Sequence, residues 1–226
     1  MSADPDGRHG PHVVVADVDA PDPSDDDRHH LDRVLRVRAG DPVTVGDGAG
    51  RWRACRWGAT VEPIGPVEKV PPPAPRLSVA FALIKGGRPE LVVQKLVELG
   101  IDDIRPFRAE RSVVRWDEEK AEKNQIRLER VAREAVMQCR RAWLPTVHPT
   151  VDFRSIAGLP GVARADRGGG AVSLTHSTVA IGPEGGWSDA ERDIDLPVVA
   201  LSGAVLRAET AAIAAATLLS AARDLG

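Results

Sequence analysis

Along the first third of the chain, apolar positions come in short runs broken by glycine. Residues 13–16 and 42–45 are two such runs. Between positions 52 and 57, Trp52, Ala54 and Arg56 alternate against Arg53 and Cys55. Gly46-Asp47-Gly48 and Gly50 separate the last two runs, as the turn of a β-hairpin would. Residues 29–38 carry Leu31, Val34, Leu35 and Val37 at helical spacing, and Ala39-Gly40-Asp41-Pro42 stops the element. A small β-rich module is the expectation over residues 1–72, with residues 1–11 disordered.

Pro71-Pro72-Pro73-Ala74-Pro75 forms a stiff break, and after it the rhythm changes. Residues 77–84 read as an apolar strand with Leu77, Val79, Phe81 and Leu83 on one face. Residues 89–99 read as a helix with proline in its first turn and Gly100 at its end. A short strand is expected at 101–106, and a long helix at 118–141 with an apolar line through Ile126, Leu128, Val131, Ala135 and Val136. Further strands are expected at 162–165, 178–181 and 196–201, and an alanine-rich helix at 208–225. Strand and helix in alternation predict an α/β domain over residues 73–226, built on a mainly parallel sheet covered on both faces.

Two glycine-bearing bends follow the last two strands. The first is Ile181-Gly182-Pro183-Glu184-Gly185-Gly186-Trp187, and Ser188-x-x-Glu191 behind it reads as a helix-starting capping box. The second is Ser202-Gly203-Ala204-Val205-Leu206-Arg207, with Glu209 just beyond. Backbone this bare either turns tightly or lets a flat ligand lie against the main chain. In an open parallel sheet, ligands collect beyond the carboxyl ends of the strands, so both bends are expected to face one pocket. The chain has no GxGxxG and no phosphate loop with lysine, which argues against a dinucleotide or nucleoside triphosphate. No Asp/His cluster suggests a metal, and no Ser/Cys–His pairing suggests a nucleophile.

Charge changes this picture in one respect. The net charge is −3, but the acids concentrate in residues 1–27, where Arg8 is the single base. Outside that segment bases outnumber acids, and arginines group at 28–56, at 105–115 and at 127–141. Local arginine patches suit a polyanion because the guanidinium fork matches phosphate geometry. Cys55 and Cys139 stand far apart without a CxxC, so neither a disulfide framework nor a zinc site is expected. No apolar run has membrane-spanning length and no secretory pattern opens the chain, so a cytoplasmic protein without membrane contact is expected.

The two bends, read as Ile181-Gly-Pro-Glu-Gly-Gly-Trp-Ser-Asp-Ala-Glu191 with Leu206-Arg-Ala-Glu-Thr-Ala211, resemble the paired signature of the RsmE-type 16S rRNA (uracil-N3)-methyltransferases of the SPOUT superfamily. The similarity extends over nearly the whole chain. His29-His30-Leu31, Val34-Leu35-Arg36 and Gly40-Asp41 are similar to that family's amino-terminal PUA-like module. Lys85, Gln94-Lys95, Glu98-Leu99-Gly100, Pro106 and Glu110-Arg111-Ser112 match the first part of its catalytic domain, and Glu134-Ala135, Gln138, Arg141 and Pro145 its central helix.

The resemblance implies a carboxyl-terminal trefoil knot, S-adenosylmethionine as cofactor, and a homodimer acting on ribosomal RNA or the small ribosomal subunit. Carried over by position, Ile181, Gly182, Pro183, Glu184, Gly185 and Gly186 would wrap the cofactor together with Leu201, Ser202, Val205 and Leu206. A loop near Asp166 would add a third wall. Arg207 would stabilise negative charge on the uracil oxygens, and Glu209 would orient Arg207 or accept the N3 proton. Arg36, Arg38, Lys85, Arg111 and Arg141 would meet RNA, with Arg111 and Arg141 alternatively serving ion pairs between subunits. The chain departs from the family pattern at Ser202 and Ala204, and its acidic residues 17–27 replace an amino-terminal arginine. Two other readings stand beside this one: methylation of another RNA base, and a non-catalytic RNA-binding or ribosome-associated protein.

Overall fold

In a computed structural model, the structure describes residues 4–5, 7–86 and 88–225. The chain forms two compact units: residues 1–72 with 133–144, and residues 73–132 with 145–226. The expected disorder over residues 1–11 falls in part on residues 1–3 and 6, which lie outside the described residues.

The first unit is a small sheet of five strands: β1 (His12–Val14), β2 (Pro42–Gly46), β3 (Arg51–Arg56), β4 (Glu62–Pro63) and β5 (Glu68–Lys69). β2 and β3 form the expected antiparallel hairpin, β1 lies parallel to β2, and β4 and β5 both pair with β3. Val13, Val15, Val43, Val45, Cys55 and Trp57 fill its core with Leu31. Burial pushes the Cys55 thiol up to about 11, so it packs as a small hydrophobe.

The helix expected at 29–38 is displaced toward the amino terminus. It begins at Ser24, whose hydroxyl accepts from the Asp27 N–H, and runs as α1 (Asp25–His29) into a π-helical turn (His30–Val34). Arg36 then adopts a left-handed conformation, φ 56°. Ser24 with three aspartates behind it makes a helix start that the apolar spacing does not reveal. As a result Leu31 is buried while Val34 and Leu35 are exposed.

The second unit carries seven parallel strands: β6 (Ser78–Ala82), β7 (Asp103–Arg108), β8 (Thr146–Val147), β9 (Val151–Asp152), β10 (Val162–Gly170), β11 (Thr178–Ile181) and β12 (Val198–Val199). Their order is β12-β10-β11-β6-β7-β8, with β9 also on β7. β6 is central and buried along its whole length, on both faces rather than the single face its spacing suggests.

The helices of this unit are α2 (Arg88–Glu98), α4 (Phe153–Ala157), α5 (Asp189–Arg192) and α6 (Ala208–Leu225), with α3 (Glu118–Cys139) continuing past Ala132 into the first unit. α6 packs on β6, β11 and α2. Another sheet surface, Ala80, Ala82 and Ala180, meets Phe107, Phe153, Ile156 and Trp187. On α3 the buried stripe is Leu128, Ala132, Ala135 and Val136, and Ile126 is exposed. β12 is two residues long instead of the six expected at 196–201, and β10 continues past Ala165 through a register shift. None of the described helices is long and apolar enough to cross a membrane.

Asp102 fixes the amino-terminal side of this sheet. Its buried carboxylate accepts from the Leu77 N–H at 2.9 Å and from Arg223 Nη1 at 2.7 Å, which pins the end of α6. The bends at the carboxyl ends of the strands are thereby held on a rigid base.

A cavity beyond the carboxyl ends of the sheet

β11 ends at Ile181, and Pro183 and Gly186 turn the chain within four residues, closed by a Gly186 N–H bond to the Pro183 carbonyl at 2.8 Å. Gly186 has φ 71°, a conformation that glycine adopts without penalty. The predicted capping box is present: Ser188 Oγ accepts from the Glu191 N–H, and the Glu191 carboxylate accepts from the Ser188 N–H. α5, however, is only one turn long.

Trp187 is buried between Phe107 and Phe153, with ring centroids 6.0 and 4.6 Å away. Its indole N–H donates to the Ala165 carbonyl at 2.9 Å, tying this bend to β10. At 3% exposure it is a packed side chain rather than a stacking platform. The Arg111 guanidinium donates to the Trp187 carbonyl at 3.1 Å, and Gly185 backs onto Arg111. Arg164, a buried arginine within β10, donates from Nη1 to the Glu191 and Arg192 carbonyls at 2.8 and 3.0 Å, satisfying the end of α5.

Between this bend and the one at residues 201–207 lies a cavity of about 430 Å3. Ile181, Gly182, Pro183, Glu184 and Gly186 form part of its wall; Leu201, Ser202, Val205, Leu206 and Arg207 form another. Ala165, Asp166 and Arg167 complete it as the expected third wall. The two bends do meet at one site. Its volume lies within the roughly 300–1,000 Å3 typical of small-molecule sites. Its lining is mostly small and apolar residues, with Arg167, Glu184, Ser202 and the exposed Arg207 as polar members and the Asp166–Arg192 ion pair (3.4 Å) in the wall. Ser202 Oγ accepts from the Ala204 N–H at 3.1 Å, so its hydroxyl is turned into the bend itself.

Two expected residues stand apart from the wall. Gly185 lies behind it. Glu209, in the first turn of α6, sits with one carboxylate oxygen 3.8 Å from Arg88 Nε and the other buried with no hydrogen-bond partner among the described residues. Arg88 also donates to Glu184 Oε1. It therefore bridges the first bend and the start of α6, a role no local pattern announces because Glu184 is 96 positions away. Among the described residues, the Arg207 guanidinium has no hydrogen-bond or ion-pair partner.

The expected RNA contacts divide between the units. Lys85 and Arg111 belong to the second, Lys85 exposed beyond β6. Arg36, Arg38 and Arg141 belong to the first. Within that unit the acidic segment neutralises part of the arginine group. Asp19 pairs with Arg51 and Arg53, Asp22 with Arg28, and Asp27 with Arg133. Arg33, Arg36 and Arg38 remain exposed around Val34 and Leu35.

Known proteins share this geometry. A family profile described as RNA methyltransferase domain matches residues 71–220, and one described as RNA methyltransferase PUA domain matches residues 23–56. Ribosomal RNA small subunit methyltransferase E of Mycobacterium bovis is 30% identical over 220 residues, 84% of this chain and 82% of the relative. The structure of ribosomal RNA small subunit methyltransferase E from Neisseria gonorrhoeae bound to S-adenosyl methionine superposes with a TM-score of 0.77. It is 26% identical and covers 96% of this chain and 98% of its own. A putative methyltransferase from Legionella pneumophila in complex with the same cofactor gives a TM-score of 0.78 at 27% identity, covering 93% and 97%. The fold is thus a SPOUT-type α/β domain behind a PUA-like module.

Proposed function

The chain belongs to the RNA methyltransferase domain family, and from that premise we propose that it methylates N3 of a uridine in small-subunit ribosomal RNA. S-adenosylmethionine is the cofactor. When bound, it supplies an electrophilic methyl group. The observation that carries this reading is the meeting of two bare-backbone bends around one cavity with Arg207 in its wall.

The residues fit such a ligand. The glycines of the bend at 182–186 keep side chains clear of the polar edges of adenosine, and Ile181, Leu201 and Leu206 suit its apolar faces. Uracil N3 is a weakly acidic imide that must lose its proton before it attacks. An unpaired guanidinium at the cavity edge lowers the cost of the charge then spread over the uracil oxygens. We assign that role to Arg207. Glu209 takes a positioning role instead: it lies outside the wall and beside Arg88, which supports a brace between the bends rather than direct contact with the base.

The PUA-like unit contributes RNA affinity through Arg36 and Arg38, set beside the exposed Val34 and Leu35. Trefoil threading of the carboxyl-terminal domain, a homodimer and a cytoplasmic site of action complete the reading.

The test is mass-spectrometric mapping of modified uridines in small-subunit rRNA from cells with and without this gene. Loss of 3-methyluridine at one position is expected on deletion. An unchanged level removes the assignment to N3 of uridine. Calorimetric titration with S-adenosylmethionine is the companion measurement, and a folded protein that does not bind it is not a methyltransferase.

A further inference from the structure

The second unit holds another cavity, of about 400 Å3. The one-turn helix α5 and its flanks serve both: Trp187 and Arg192 face the first cavity, while Ala190, Glu191 and Ile194 face the second. The remaining walls come from the end of β7 and the loop after it, and from β9 and α4.

Its lining combines two chemistries. Val114 and Ile194 supply half-buried apolar surface over the buried Ala109 and Phe153, and Arg108, Arg115 and Arg154 supply guanidinium groups. Three carboxylates also face it, and they differ in availability. Asp152 is held by Arg108 Nε at 2.9 Å. Glu191 is buried and accepts backbone N–H bonds from Glu110 and Ser188 at 2.8 and 2.9 Å. That leaves the Glu110 carboxylate against Arg115 and Arg154. Both arginines are exposed, and neither has a hydrogen-bond or ion-pair partner among the described residues.

An apolar recess edged by unpaired guanidiniums matches one nucleotide of an unpaired RNA strand. Proteins read such strands by seating splayed bases on apolar or aromatic surface and meeting the phosphates with arginine. The Glu110 carboxylate disfavours a bare anion but can accept from the imide or amino N–H of a base. An acidic peptide would satisfy the arginines and leave the apolar recess unused.

We propose that this second cavity holds a nucleotide of the RNA strand other than the one being methylated, with its base in the apolar recess and its phosphate met by Arg115 and Arg154. The inference rests on the RNA methyltransferase reading above. It adds a second point of attachment, at the cavity that shares α5 and its flanks with the first, which fixes the register of the strand.

The experiment uses the full chain and Arg115→Ala, Arg154→Ala and the double variant. Binding of an unpaired small-subunit rRNA fragment is measured from low to moderate salt, with S-adenosylmethionine affinity measured in parallel. Both side chains are exposed, so thermal melting should match the parent. Each single change is expected to weaken RNA binding about three- to tenfold and to flatten the slope of log K against log salt by about 0.7 for each phosphate no longer neutralised. Cofactor affinity should not move. If the parent binds and methylates RNA while the double variant keeps the same affinity and slope, the inference is wrong and the function stands. A parent that neither binds nor methylates RNA overturns both. Unchanged RNA binding with loss of self-association on sedimentation assigns the cavity to a protein interface and also overturns the inference.

Discussion

Gly182 and Trp187 lie so close that a methyl group on Gly182 would sit 2.8 Å from the indole Cε2. The indole cannot yield freely, because its N–H holds the Ala165 carbonyl and its ring is wedged against Phe107 and Phe153. Gly182→Ala must therefore push the bend toward the cavity. We expect a stability loss of about 1–3 kcal/mol by overpacking and at least a tenfold loss of S-adenosylmethionine affinity. Thermal melting and calorimetry check both. Gly203→Ala in the facing bend meets open space and should leave both nearly unchanged.

Arg88 joins the first bend to the start of α6 through Glu184 and Glu209. The Arg88 and Glu184 side chains are each 39% exposed, so their pairing is worth only about 0.5–1 kcal/mol. Glu209 is the more buried partner, at 14% exposure. Arg88→Ala is expected to weaken cofactor binding about three- to tenfold, with Arg88→Lys restoring part of it. Equal cofactor affinity in all three proteins would show that the bends hold their spacing without this bridge.

Removing Arg207 tests the electrostatic assignment. Arg207→Ala should lower turnover at least a hundredfold at saturating substrates, the scale of losing a transition-state charge partner. Cofactor affinity should change by less than about threefold, since the two bends that form most of the wall are small and apolar residues. Parallel loss of both would make Arg207 a cofactor ligand instead.

His12 makes the first unit sensitive to acid. Burial, and then the positive Arg140 nearby, lower its pKa from 6.5 to about 4, and its Nδ1 shares a 2.9 Å hydrogen bond with Thr44 Oγ1. The folded state thus resists a proton that the unfolded chain accepts below 6.5. Stability is full above that value, falls as pH drops from 6.5 to about 4, and levels off below. The predicted loss is about 3 kcal/mol over this window. Denaturant titrations at several pH values measure it, and His12→Asn should flatten this part of the curve.

The Arg133 guanidinium grips the Asp27 carboxylate with both terminal nitrogens, at 2.9 and 2.6 Å, and Nη2 also reaches the Val14 carbonyl at 2.8 Å. Burial would raise the Asp27 carboxyl, but hydrogen bonds from Arg133 and Ser24 outweigh it and hold the group below the usual carboxylate range. Its contribution is present above the unfolded value and disappears as pH falls through the lowered one. Asp27 is 7% exposed and Arg133 34%, so screening reduces the effect of a fully buried pair. Asp27→Asn is expected to destabilise the protein by about 2 kcal/mol at neutral pH, measured by denaturant unfolding.

Much of the fold is written in local pattern. Thr178–Ile181 and Ala208–Leu225 have the bounds that their apolar runs and flanking bends predict, and the β2–β3 hairpin follows from its glycine turn. The cavity is legible because two bare-backbone bends follow two strands of one parallel sheet, where ligands collect. Elements of two residues, such as β8, β9 and β12, escape periodicity because two positions define no period. Val34 and Leu35 mislead because apolar side chains at helical spacing need not face a core. Arg88 and Arg164 are invisible for another reason: their partners are brought to them by the sheet, not by the sequence around them. Arg164 does leave one sign, a cation set among Val162, Ala163 and Ala165, which has to find buried acceptors or not be there.

The wall around the first cavity is rich in small residues, among them Ala165, Gly182, Gly186, Ala204, Ala208 and Ala211. Such a wall has little to lose by exchange of one small residue for another, which is why serine and alanine at 202 and 204 coexist with an open chamber. What it cannot absorb is added bulk. At the glycines of positions 182 to 186, loss of function should track the size of the residue introduced.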